Sequence, residues 1–398
     1  MEGNVSANEI DINTFSHPVR ITVTNPQKIG SFIASYVTYR ITTTSNLNNN
    51  QTTSVTRRFN DFVLLYQKLH YKYAHVGRII PPPPEKDFGG MLSVMINNEA
   101  EISRMQFIEI RRAALERFLF RIASHLVLRD DVFFKLFLYS KTNYKKTIRN
   151  THNRDNVGPA IHGLGRGFFL SVVDNDDIWF ERKADHLQTY QDMLKVFSEA
   201  LHEFAVKKKN ISEALGYLAR RVRVVSSLEE DQQFSNLLYK IAEGHKDLQS
   251  VYETQSEKEC VMLSDVIRDY MKFTIQAVTI FDVRFKARRA IEQIEKELEH
   301  RRQREVEAIN NKKSTATINK FRNIKEQAEE RLERYMQIYT EISRNVMEEV
   351  KHFEHLRVIE LKAAIRQWIF NSQNTHEQII NIFKDYLRHE EGSSNASV

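Results

Sequence analysis

A single cysteine, Cys260, stands in 398 residues, so no intrachain disulfide framework can form. A reducing, cytosolic compartment is the expected setting. All seven prolines lie at or before Pro159, and between Phe168 and Glu391 the only glycines are Gly216 and Gly244. Proline costs about 3 kcal/mol inside a helix and glycine about 1 relative to alanine. The chain therefore divides into a mixed N-terminal domain and a nearly all-helical C-terminal one. No window approaches about 18 uninterrupted apolar residues, which argues against a transmembrane helix. The first residues also lack the basic start and apolar run of a secretory signal. Any membrane contact is expected to be peripheral. Neither charge sign dominates: 58 Lys and Arg oppose 52 Asp and Glu, a net charge of +6. That balance permits an anionic membrane surface or nucleic acid without choosing between them.

The motifs of common enzymes are missing too. There is no HExxH, no GxSxG and no glycine loop set between a strand and a helix. Gly163-Leu164-Gly165-Arg166-Gly167 follows no strand and reads as linker. His352 and His355, beside Glu348 and Glu349, fall on one long helix and read as surface rather than as metal ligands. No catalytic residue, metal or cofactor is expected, no enzyme activity, and no nucleic-acid-reading module.

What is present begins with strands. Residues 20–24, 31–44 and 52–59 are rich in Val, Ile, Thr, Tyr and Phe, and turn clusters at Asn25-Pro26 and 46–50 separate them. They read as three antiparallel strands. Asn60-Asp61 should cap a helix carrying Phe62, Leu65, Leu69 and Tyr73 at helical spacing. Four prolines, 81–84, must be extended. Helices are expected over about 101–125 and 130–138, then a linker over 141–167. At its end, Leu164, Phe168, Phe169 and Leu170 form a candidate amphipathic membrane-insertion segment.

Three long helices follow, over 176–223, 229–310 and 317–389, with breaks at 225–227 and 310–315. The third carries a heptad seam at Leu332, Tyr339, Val346 and Phe353, with Tyr335 and Ile342 between, and Glu349 where an apolar residue belongs. Bulky, imperfect heptads suit an antiparallel three-helix bundle. Ile178, Trp179, Leu187, Leu194, Phe197, Leu201 and Phe204 on the first long helix exceed what one copy can cover, so a dimer is expected. Between Arg284 and Lys325 there are 13 Lys or Arg against 6 Glu, a net +7 at one end of a helical hairpin. Arg301, Arg302, Arg304, Lys312 and Lys313 are the candidates there for contact with anionic lipid.

Three stretches supply cationic groups for a phosphorylated ligand. They are Arg57-Arg58-Phe59-Asn60-Asp61-Phe62, Pro81-Pro82-Pro83-Pro84-Glu85-Lys86, and Arg111-Arg112-Ala113-Ala114-Leu115-Glu116-Arg117-Phe118. Strand parity sends Arg57 to the opposite side from Arg58 and leaves it structural. With Asp177-Ile178-Trp179-Phe180-Glu181 opening the long helices, these motifs resemble the PX–BAR sorting nexins, nearest the sorting nexin-1/2 retromer-associated branch, over about residues 18–389.

The resemblance implies an α+β PX domain over 18–142, a linker over 143–173 and an all-α BAR domain over 174–390 that forms a dimeric crescent. Residues 1–17 and 391–398 would be disordered. It implies a site for phosphatidylinositol 3-phosphate, with the 3,5-bisphosphate as a second candidate. Arg58 would take the 3-phosphate in bidentate fashion. Phe59 would floor the pocket, Asn60 stands where the branch has serine and would add a polar contact, Lys86 would face the 1-phosphate, and Arg111 the 4- and 5-hydroxyls. The implied partners are a second copy or another PX–BAR sorting nexin, and a retromer-type cargo complex. The implied setting is the cytosolic face of early endosomes and their tubules, in retrograde transport toward the Golgi. The branch usually has a long acidic N-terminal region, whereas about 17 residues precede the strands here. The alternative reading is a helical scaffold that binds anionic membranes without lipid specificity.

Overall fold

A computed structural model describes residues 19–30, 36–45, 51–84, 100–151 and 175–394. The N-terminal unit is built on strands β1 (Val19–Ile29), β2 (Tyr36–Ser45) and β3 (Thr52–Arg58), antiparallel and in the order β1-β2-β3. Asn25-Pro26 does not separate two strands. It forms an irregularity within β1, between Thr24 and Gln27, where Asn25 adopts a left-handed φ of 51°. Proline lacks the N–H that a regular ladder would use, and a bulge absorbs it.

Helix α1 (Phe59–Tyr73) starts one residue after β3. Its N-cap is Arg58 rather than Asn60-Asp61, and Asp61 sits at the third helical position, accepting from the Arg58 backbone N–H at 2.9 Å. The extended run 81–84 leads toward α2 (Ala100–Ser124). Helix α3 (Val132–Tyr139) is capped by Asp131, which accepts from Phe133 N at 2.7 Å. A further helix, α4 (Tyr144–Thr151), stands where the sequence reads as linker. Its Tyr144 and Ile148, one turn apart, are buried in the N-terminal core with Phe62, Leu65, Phe118, Phe134 and Phe137. That unit thus runs past residue 142.

The remainder is three helices, α5 (Asn175–Leu228), α6 (Gln232–Asn310) and α7 (Thr315–Ser394). The first break falls at 229–231, not 225–227, because Asp231 caps α6 by accepting from Phe234 N at 2.8 Å. Ser226 and Ser235 instead fasten the turn, each hydroxyl donating to the other's carbonyl at 2.8 and 2.7 Å. At Gly216 a Cβ would meet the amide end of the Gln249 side chain on α6, which would have to turn aside.

The helical core joins Leu263, Ile267, Tyr270, Phe273, Ala277 and Ile280 of α6 to Ile342, Val346, Val350 and Phe353 of α7. Helix α5 contributes Phe180, Leu187, Leu194 and Leu201 at intervals of seven, all buried. Leu187, Leu194 and Leu201 are therefore core of one chain rather than uncovered surface. Phe197 and Phe204 of the same helix remain exposed. Arg284, counted with the end charges above, is instead a buried knot between the three helices. It pairs with Asp177 at 2.5 Å, donates to Ser343 at 3.0 Å and to the Tyr339 hydroxyl, and lies on the Phe180 ring.

Candidate functional site

The end of β3 presents its two arginines in opposite directions. Arg57 is buried and its guanidinium donates to the carbonyls of Phe137, Thr56, Leu136 and Ser140, at 2.9, 3.1, 3.2 and 2.6 Å. A guanidinium there satisfies the last carbonyls of α3 and opposes the negative end of its dipole. Burial pulls its pKa below the usual arginine value. Arg58 points outward, its side chain 38% exposed and 3.7 Å from the Asp61 carboxylate.

Phe59 and Arg111 come together although 52 residues separate them in sequence. The Arg111 guanidinium lies 5.0 Å from the Phe59 ring centre and 4.1 Å from that of Phe107, a stacked geometry that holds a planar cation in place. Beneath lies the buried phenol of Tyr39. Burial raises its pKa, and the Arg111 charge opposes that rise. Asn60 is exposed beside Arg58 at the start of α1. Helix α2 is fixed to the sheet by Arg112, which donates to the Val23 carbonyl at 2.7 Å and to Glu116 at 3.1 Å, while Glu116 accepts from Val23 N at 2.7 Å. The structure thus brings Arg111 to Phe59 at the β3–α1 junction, where Arg58 and Asn60 are Phe59's neighbours in the chain. Lys86 lies outside the described residues, as do Leu164, Phe168, Phe169 and Leu170.

The same helix also docks the N-terminal unit on the rod. Arg117 pairs with Asp265 at 2.5 Å and Asp269 at 2.8 Å, and Arg121 with Glu360 at 2.7 Å. Arg121 also lies on the rings of Tyr270 and Phe273. Burial alone would lower the pKa of both arginines, but their carboxylates outweigh it and hold them raised. Asp265 is raised as well, but there burial outweighs the ion pair. Burial raises it, helped by Asp269 and opposed by Arg117.

Just after α1, Gly77 adopts a left-handed φ of 81° and its Cα lies so close to Val346 that a Cβ would crowd it at 3.1 Å. This turn lets Arg78 reach Glu349 at 3.0 Å and Glu348 at 3.1 Å. Glu349 also accepts from Ile79 N at 3.1 Å and meets His125 Nε2 at 2.8 Å. Val127 N and Leu128 N both donate to His125 Nδ1, so the ring proton sits on Nε2 and points to Glu349. Glu349 is 2% exposed, neither a surface residue nor a seam defect. Three arginines from the N-terminal unit, Arg78, Arg117 and Arg121, thus meet five carboxylates of the rod. Sequence reasoning missed this junction. The polar Glu349 on an apolar seam was its one visible sign.

At the far end of α6 and α7 the expected cations divide. Arg301 pairs with Glu297 at 2.6 Å and donates to the Ile324 carbonyl, and Arg302 pairs with Glu329 at 3.0 Å. Arg304, Lys312 and Lys313 are exposed. No helix among the described residues is long and apolar enough to cross a membrane.

Two family profiles match the chain. The one described as Vps5 C terminal like covers residues 159–389, more than half of the chain, and that of the PX domain covers 45–141. Sorting nexin-2 of Homo sapiens is 27% identical over 377 residues, spanning 93% of this chain and 72% of its own length. Sorting nexin-1 of Mus musculus is 26% identical over 383 residues, spanning 92% and 71%. The cryo-EM structure of the SNX-BAR Mvp1 tetramer superposes with a TM-score of 0.69 at 17% identity, over 92% of this chain and 99% of that one, a likeness of fold.

Proposed function

This chain belongs to the Vps5 C-terminal-like family with a PX domain ahead of it, homologous to sorting nexins 1 and 2, and from that premise we propose that it is a peripheral membrane protein of endosomal trafficking. Its PX unit would recognise phosphatidylinositol 3-phosphate, with the 3,5-bisphosphate as a second candidate. Its rod would dimerise, with itself or with another PX–BAR sorting nexin, and sense or impose curvature. Early endosomes and their tubules, and retromer-type retrograde cargo transport, are the setting this implies.

The observation that carries the reading is the Arg111 guanidinium stacked on Phe59 next to an outward-facing Arg58. One arginine is pre-placed on a ring floor, where it can meet ring hydroxyls. The other is exposed and suited to bidentate contact with a phosphate. Lys86 would face the 1-phosphate and Asn60 would add a polar contact. Capture of one headgroup and a broad charged surface are each reversible, and linkage in one molecule multiplies them.

Sedimentation with vesicles tests this. Vesicles containing phosphatidylinositol 3-phosphate should pellet more protein than otherwise equal vesicles without it. Arg58→Ala should remove that increment, while Lys312→Glu/Lys313→Glu should lower binding to both. Wild-type behaviour of Arg58→Ala would refute the pocket and favour a scaffold that reads only charge.

A further inference from the structure

The tip of the α6–α7 hairpin is apolar as well as basic. Val306 and Ile309, 55% and 47% exposed, lie three residues apart on one flank of α6, with Arg302 one turn before Val306. Lys312 and Lys313 follow immediately in the turn. Glu307 stands about 160° round the helix from Ile309, so it faces away. Glu305 is turned inward onto Arg322 and Lys325, at 3.3 and 2.9 Å.

The turn bonds several of its own backbone groups. Lys312 takes a left-handed φ of 47°, Lys313 N donates to the Ala308 carbonyl at 3.0 Å and Lys312 N to that of Ile309 at 3.0 Å. Such a turn satisfies the last carbonyls of a helix. Across it, Ser314 accepts from Thr317 N through its carbonyl at 2.9 Å and its hydroxyl at 3.3 Å. Each backbone group bonded within the turn is one fewer to strip of water when the tip meets the headgroups. Two branched apolar side chains flanked by lysines, whose long stems keep the charge at the headgroups, are the composition of an interfacial anchor.

We propose that this tip enters the headgroup region of an anionic bilayer, with Val306 and Ile309 as a shallow wedge and Lys312 and Lys313 against the phosphates. The proposal rests on the membrane reading above but not on the PX pocket. It adds to the charge of the tip an apolar contact that salt does not screen.

The test uses the full chain and vesicles of phosphatidylserine and phosphatidylcholine without phosphoinositide, so a failed pocket leaves the readout intact. Ile309→Cys in a Cys260→Ser background carries a polarity-sensitive fluorophore. Its emission should shift to the blue on these vesicles and be quenched by lipids brominated near the top of the acyl chain. Pure phosphatidylcholine should leave it unchanged. Val306→Ser/Ile309→Ser should weaken binding about three- to tenfold and lose the part of it that wild type keeps at high salt, with the melting temperature unchanged because both side chains are exposed. Protein that pellets with an unshifted fluorophore, or that does not pellet at all, would overturn the proposal. So would a shift that grows with protein concentration in the absence of lipid, since the tip would then be packing on another copy.

Discussion

Arg57 places its guanidinium among four backbone carbonyls in the core, and Arg58, its neighbour, keeps a side chain in solvent. Strand parity alone anticipates this split. Its consequence is a pair of opposite phenotypes. Arg57→Ala removes the donor from the Phe137 and Ser140 carbonyls, while that of Leu136 keeps Ser140 N, and should cost about 3 kcal/mol, read as a lower urea midpoint. Arg58→Ala should stay within about 0.5 kcal/mol of wild type and lose only the lipid-specific part of vesicle binding. A loss of stability in Arg58→Ala would mean that its contact with Asp61 holds the start of α1, which its exposure argues against. Much of the candidate site was legible for the same reason: Arg58, Phe59 and Asn60 are contiguous, and strand-end and helix-start chemistry fixes their directions. The stacking of Phe107 on Arg111 was not, because two side chains four residues apart on a helix meet only if their rotamers allow it.

At the level of elements, α7 departs from a regular heptad at Glu349. Heptad reasoning predicts that Glu349→Leu would strengthen the rod. The structure predicts the reverse, since His125 and Ile79 N would lose their acceptor at a buried site and Arg78 one of its two carboxylates. Breaking such a cluster costs about 3–5 kcal/mol. Amide exchange at Ile79 should accelerate, and the PX unit should unfold ahead of the rod in urea. Slower exchange in Glu349→Leu would vindicate the heptad view. Acid should act at the same point. Burial pushes the Glu349 carboxyl up, but His125, Arg78 and Ile79 N–H outweigh burial and hold it below its ordinary value of 4.5. A depressed carboxyl lends stability that is complete above about pH 4.5 and lost as pH falls through the folded value. Glu349→Gln should therefore lose less stability than wild type between pH 6 and pH 3. The long helices themselves were easily read, because nothing between Phe168 and Glu391 interrupts them except Gly216 and Gly244. Helix α4 escaped, since Lys, Thr and Asn dominate it and only Tyr144 and Ile148 face inward. The junction escaped because its ion pairs span 148 to 271 residues, a distance at which periodicity carries no information.

For the whole molecule, apolar side chains remain uncovered along both outer helices. Met193, Val196, Phe197 and Phe204 are exposed on α5, and Ile369, Phe370 and Ile380 on α7. So much apolar surface on one chain favours a second copy or a close relative against it. Ile369→Glu/Phe370→Glu should shift the species seen by light scattering to a monomer, weaken vesicle tubulation, and leave the preference for the 3-phosphate lipid in place. Retention of the larger species would move the partner surface elsewhere. One last feature joins the scales. Arg111 at the pocket and Arg121 at the junction stand on the same helix, ten residues and about 15 Å apart, and both Arg117 and Arg121 are clamped to the rod. No hinge intervenes between them. A headgroup gripped at Arg111 would accordingly set the roll angle of the rod about its long axis, like a keel fixed to a hull, and the molecule would meet the bilayer already turned to one bearing.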